Sequence, residues 1–136
     1  MSKQVFINLP VRDAKKSQAF YSALGFVPNP QFSDGNNMCM VWSEHIYVML
    51  LEFEKFESFI TKPIADTLSG VSALYSLSLE SVEEMHRLMA QGLAAGGKEP
   101  SPLRDYGFMQ QRTIEDFDGH TWELFYMDMS KLPQAD

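Results

Sequence analysis

The sequence predicts an α+β fold in which one unit, a strand, a capped helix and three further strands, is used twice. Three observations carry this. A short apolar strand leads directly into a helix-start residue at Asp13, and again at Ser81. Each helical stretch then stops at glycine, Gly25 in the first half and Gly96-Gly97 in the second. The two halves also run in register: Leu74 falls where Phe6 does, Leu79 where Val11 does, Ser81 where Asp13 does and Leu88 where Phe20 does. The likeness is one of pattern rather than identity.

The bulk numbers exclude several classes. A chain of 136 residues, 45% hydrophobic and 21% charged, can bury a sizeable core without disulfides. Its net charge of −7 and scattered basic residues argue against nucleic acid and against anionic membrane surfaces as partners. No apolar run approaches the ~20 residues that span a bilayer. The first residues enter a strand pattern without a signal-peptide core, and the single cysteine excludes an internal disulfide. A reducing cytoplasm is the expected location. Met38, Met40 and Val41 flank Cys39, which reads as a core residue rather than a reactive thiol.

In order, residues 5–9 form a strand stopped by Pro10, with Phe6 and Asn8 on one face. Asp13 caps a helix over 14–24, on which Ser17, Phe20, Tyr21 and Leu24 make one stripe. A strand at Phe26-Val27 is broken by Pro28-Asn-Pro30. Residues 38–42 and 46–53 are strands joined through Ser43-Glu-His45, and Tyr47, Met49 and Leu51 share a face of the second. A helical turn is expected over 55–60.

The second half opens with a strand over 73–79, with Leu74, Ser76 and Ser78 on one face. Ser81-Val-Glu-Glu84 is a capping box for a helix to about residue 93. Val82, Met85, Leu88 and Met89 are its buried stripe. Strands over 107–114 and 121–126 are joined by a hairpin with Asp118-Gly119 as its turn pair. The tail from Met129 to Asp136 offers few packing residues and is expected to be loose. The domain reading is one module over 1–60, a connector over 61–70 and a second module over 71–130.

The last strand holds the chemistry. Trp122, Leu124 and Tyr126 alternate with Thr121, Glu123 and Phe125. Glu123 is thus an acid within an apolar strand, a position where acids are depleted unless exposed, paired or functional. Leu9-Pro-Val-Arg-Asp13, Phe20-Tyr-Ser-Ala-Leu-Gly-Phe26 and Glu115-Asp-Phe-Asp-Gly-His-Thr-Trp-Glu-Leu124 resemble the vicinal-oxygen-chelate superfamily of glyoxalases, bleomycin-resistance proteins and extradiol dioxygenases. Within it, the chain is similar to bacterial proteins labelled predicted lactoylglutathione lyases. The resemblance implies two βαβββ modules whose eight strands curve into an open cup, with the helices on the outer face. It also implies a homodimer, a small-molecule ligand in the cup and, in the enzymes, a divalent metal on its floor.

The positions that correspond to the metal ligands are Phe6, Met49, Leu74 and Glu123. Only Glu123 is an ordinary ligand for a hard or borderline metal; Met49 is a soft donor, and Phe6 and Leu74 cannot coordinate. No metal or other cofactor is therefore expected, and Glu123 is a ligand only if a metal is present. Glu123 is left open between a general base or ligand contact and a remnant satisfied by Asn8, Gln110, Arg112 or water. Phe6, Asn8, Trp42, Met49, Leu74, Tyr106, Phe108 and Arg112 are the candidate ligand-binding residues. His45, His86 and His120 read as exposed. Three functions remain: a metal-free binder of a small, partly apolar molecule, which is favoured; an enzyme, either a metal-dependent lyase or dioxygenase or a metal-free one using Glu123; and an interaction protein whose cup is plugged by its own side chains.

Overall fold

The computed structural model describes residues 3–132. They fall into two compact units that meet in sequence at Gly70 and Val71. The first contains β1 (Val5–Val11), α1 (Ala14–Ala23), β2 (Val27–Asn29), β3 (Asn37–Val41), β4 (Ile46–Glu52) and a short α2 (Phe53–Glu57). Its sheet runs β1-β4-β3-β2, with β1 parallel to β4 and the other pairs antiparallel. The second contains β5 (Leu74–Ser78), α3 (Val82–Ala94), β6 (Arg104–Asp105), β7 (Met109–Glu115) and β8 (Thr121–Met127). Its sheet runs β5-β8-β7-β6, with β5 parallel to β8. The class is α+β and each unit is a βαβββ module.

The caps decide where the helices begin. The Asp13 carboxylate accepts the Lys16 N–H at 3.1 Å, and Glu52, from the end of β4, accepts the Ala14 N–H at 3.0 Å. Two of the donors left over at the start of α1 are thereby satisfied. Ser81 Oγ accepts the Glu84 N–H at 3.0 Å. The return bond of the predicted capping box moves one residue outward, because Glu84 Oε1 accepts from the Glu80 N–H at 3.2 Å. Each such cap is worth about 1 kcal/mol. Gly25 and Gly96 close the two helices with φ of 107° and 103°. A Cβ on Gly96 would lie 2.5 Å from the Phe117 ring, so that position needs glycine twice over.

In each unit one face of the sheet is covered by its helix, and the opposite, more open face carries the exposed Phe6 and Leu74 beside buried Cys39, Leu51, Gln111 and Thr113. On the covered face of the first sheet, Leu9, Met40, Val48 and Leu50 are buried with Phe20 and Tyr21 of α1. On that of the second, Leu77, Ile114, Trp122 and Leu124 are buried with Met85 and Met89 of α3. The register explains the sharing. Asn8 sits opposite Met49 as Ser76 sits opposite Glu123, so Met49 and Glu123 hold equivalent places in the two modules.

Five expectations need correction. Pro10 does not stop β1, and Pro28 does not break β2. Both strands lie at sheet edges, where a residue without an N–H is tolerated. The helical turn expected over 55–60 begins earlier, at Phe53. The β7–β8 hairpin closes through five residues, 116–120, rather than a two-residue turn. Gly119 has φ 86°, but no non-glycine residue among the described residues has positive φ, so Asp118 cannot supply the first half of a type I′ turn. The Asp116 carboxylate instead accepts the N–H groups of Asp118 and His120, both at 2.9 Å. This folds the loop inward, and His120, expected at the surface, is only 6% exposed. Of the tail expected to be loose, Met129–Lys131 form a 3-10 turn, and residues 133–136 lie outside the described residues.

Candidate functional site

The open face of the first sheet carries a cavity of about 450 Å³. Its floor comes from three adjacent strands. Phe6 and Asn8 of β1 sit opposite Tyr47 and Met49 of β4, and Cys39 of β3 sits opposite Met49. The Phe6 and Tyr47 rings stack at 4.5 Å with 9° between their planes. Phe6 is nonetheless 50% exposed, an unusual state for an aromatic side chain. Phe32, Asn29 and Gln4 complete the walls, and among the described residues none that lines the cavity carries a charge. Burial pushes the Cys39 thiol above its ordinary pKa, so it stays protonated and acts as a small apolar wall.

The open face of the second sheet has different chemistry. Glu123 is held by neutral donors from both neighbouring strands: Ser76 Oγ donates to Oε1 at 2.7 Å, and Gln111 Nε2 donates to Oε2. Thr113 sits directly opposite Glu123, and Leu74, 56% exposed, lies on the same face. Such a carboxylate is oriented on both oxygens and keeps lone pairs for further donors.

The predicted site residues divide by face. Phe6, Asn8 and Met49 come together in the first cavity. Trp42 does not join them; its ring packs 5.1 Å from Phe26, which meets Tyr21 of α1 edge-on, so Trp42 belongs to the covered face. Leu74 shares an open face with Glu123. Tyr106 is half exposed in the β6–β7 loop, where its N–H donates to the Met109 carbonyl. Phe108 is partly buried and accepts the Asp128 N–H through its carbonyl.

Arg112 does not meet Glu123. It sits opposite Leu124 on the covered side and pairs with Glu99 through Nε and Nη2, both at 2.9 Å, while Nη1 lies 3.0 Å from His86 Nδ1. Gln110 shares that side. Gln111 is the residue missed. Counting register outward from a five-residue loop would have found it, since an odd loop moves every β7 side chain to the opposite face from a two-residue one.

The Arg112 pair has a pH consequence. Its hydrogen bonds and charge hold Glu99 below the ordinary value of 4.5. The unfolded chain therefore takes up this proton more readily than the folded one. The stabilisation is complete above pH 4.5 and is lost as pH falls through the lower folded value. Glu99→Gln is expected to cost about 1 kcal/mol near neutrality. Urea unfolding repeated from pH 7 down to about pH 3 should show the difference from wild type vanish at the acid end.

The metal site that the fold implies does not fit these residues. Glu123 already accepts from a hydroxyl and an amide, and its neighbours Ser76, Gln111 and Thr113 are weak neutral donors. Among the described residues, no three His, Cys, Asp or Glu side chains are gathered where they could hold an ion. The equivalent place in the first module is a thioether, Met49, which suits soft rather than hard cations.

Comparison with known proteins agrees with the fold. A family model described as bleomycin resistance protein-like N-terminal matches residues 3–43. A hypothetical protein from S. aureus is 26% identical with a TM-score of 0.77, over 93% of this chain and 95% of that one. A glyoxalase/bleomycin resistance protein/dioxygenase family enzyme from Burkholderia phytofirmans is 16% identical with a TM-score of 0.75, over 93% and 99%. A genomically encoded fosfomycin resistance protein, FosX, from Listeria monocytogenes is 19% identical with a TM-score of 0.67, over 96% and 98%. No curated protein matches the sequence. Among the described residues no helix is long and apolar enough to cross a membrane. The chain thus shares its fold with glyoxalase/bleomycin resistance/dioxygenase proteins, and over residues 3–43 its sequence is similar to the bleomycin resistance protein-like N-terminal family.

Proposed function

We propose that this chain is a metal-independent binder of small, partly apolar molecules, which it takes up in the cavity on the open face of its first module. The observation that carries the reading is the cavity itself. It is aromatic and sulfur-lined, has a half-exposed stacked ring, and falls within the range of about 300–1,000 Å³ usual for small-molecule sites. An apolar ligand gains roughly 25 cal/mol for each Å² it removes from water there. The enzyme reading, with Glu123 as general base, has less support because Glu123 stands on the second sheet and is not among the residues that line this cavity.

Thermal-shift measurements with indole, naphthalene and 2-quinolone test the proposal. A fragment at about ten times its Kd should raise the melting temperature by roughly 2–6 °C. No shift with any neutral aromatic fragment would refute the binder. Stoichiometric Ni, Zn, Mn or Fe on the purified protein, lost in Glu123→Gln, would refute its metal independence.

A further inference from the structure

The polar groups of this cavity decide which molecules it selects, given the binding role proposed for it. Three of them are of one kind: Gln4, Asn8 and Asn29 each present a carboxamide. Each spends only one end within the protein. Gln4 Nε2 donates to the Glu44 carbonyl and to Tyr47 Oη, both at 3.2 Å. Asn8 Nδ2 makes a long contact of 3.4 Å to the Phe6 carbonyl. Asn29 Oδ1 accepts the Gln31 N–H at 3.0 Å. Two acceptors, Gln4 Oε1 and Asn8 Oδ1, and one donor, Asn29 Nδ2, are left without a partner among the described residues.

We propose that the ligand class is a neutral, planar heteroaromatic carrying both a hydrogen-bond donor and an acceptor, as in a ring lactam. The flat component follows from the Phe6–Tyr47 platform, whose parallel rings leave Phe6 half exposed for a third ring to continue the stack. Neutrality follows from the walls. A charged ligand would give up hydration against Phe32, Cys39 and Met49 with no opposite charge to receive it. The platform's attraction for a cation is worth only about 0.5–2 kcal/mol, less than the cost of desolvating the ion. The donor–acceptor pair follows from the carboxamides, which reward both groups at once and discriminate against a ring that lacks them. Asn8 is the specificity residue, since it lies on the cavity floor between Phe6 and the Met49 thioether and has the weakest internal contact.

Calorimetric titration of the full chain with four matched two-ring probes tests this: 2-quinolone, naphthalene, quinoline-2-carboxylate and N-methylquinolinium. The lactam should bind at least tenfold tighter than naphthalene, and both ions at least tenfold weaker than naphthalene. Asn8→Ala should bring 2-quinolone down to the naphthalene level; because Asn8 makes only one weak internal contact, the variant should fold as wild type does. The proposal is overturned if naphthalene binds but the lactam binds no tighter, if either ion matches naphthalene, or if Asn8→Ala keeps the preference. In each of those cases the cavity remains a binding site of another selectivity. If none of the four probes binds, the binding role itself fails, and the ligand class with it.

Discussion

Trp122→Ala is expected to lower the unfolding free energy by about 3–5 kcal/mol. Trp122 is 1% exposed on the covered face of β8, and its ring lies 4.9 Å from Tyr75 on the neighbouring strand. Truncation leaves a cavity between the sheet and α3 that the surrounding Ile114, Leu124 and Met89 cannot fill without shifting. Leu74→Ala is the matched control. Leu74 is a large apolar residue on the same sheet but on its open face, so its loss should change stability by no more than about 0.5 kcal/mol. Denaturant midpoints of the two variants measure the contrast. Equal losses would mean that the two faces are not covered and open as described.

Phe6→Ala is expected to weaken binding of a neutral two-ring aromatic by at least tenfold, about 1.4 kcal/mol. The variant removes half of the stacked platform, together with the apolar area a ligand would cover. Because Phe6 is half exposed on an edge strand, the fold should lose little. Phe59→Ala removes a still more exposed ring that is not among the residues lining this cavity and packs beside Lys55 instead, so affinity should be unchanged. Titration of the two variants with naphthalene separates a loss at the site from a general effect of removing surface aromatics.

The fold could be read from the sequence because its signals are local. Asp13 and Ser81 accept the N–H groups their positions call for, Gly25 and Gly96 take the positive φ that a helix stop requires, and the buried stripes repeat at helical spacing. The candidate site was harder to read because it depends on register across strands. One choice of turn at Asp118-Gly119 set the face of every β7 residue. A two-residue turn puts Gln110 and Arg112 beside Glu123, whereas the five-residue loop closed by Asp116 puts Gln111 and Thr113 there. The face of Trp42 is hidden in the sequence for a related reason. An aromatic next to a turn carries no mark of its face until its contact with Phe26 is seen. His120 likewise looked like a surface turn residue, because the side-chain capping by Asp116 that draws the loop inward is not written in local composition.

Two modules of the same plan thus carry unlike open faces. Met49 and Glu123 occupy equivalent places, one in an apolar aromatic cavity and the other in a ladder of hydroxyl and amide groups. On this account binding belongs to the first of these. The most direct test is amide chemical-shift mapping during a titration with naphthalene. Saturable shifts centred on Phe6, Asn8, Cys39, Tyr47 and Met49 are the predicted result. Shifts centred on Ser76, Gln111 and Glu123, with the first group unmoved, would contradict it.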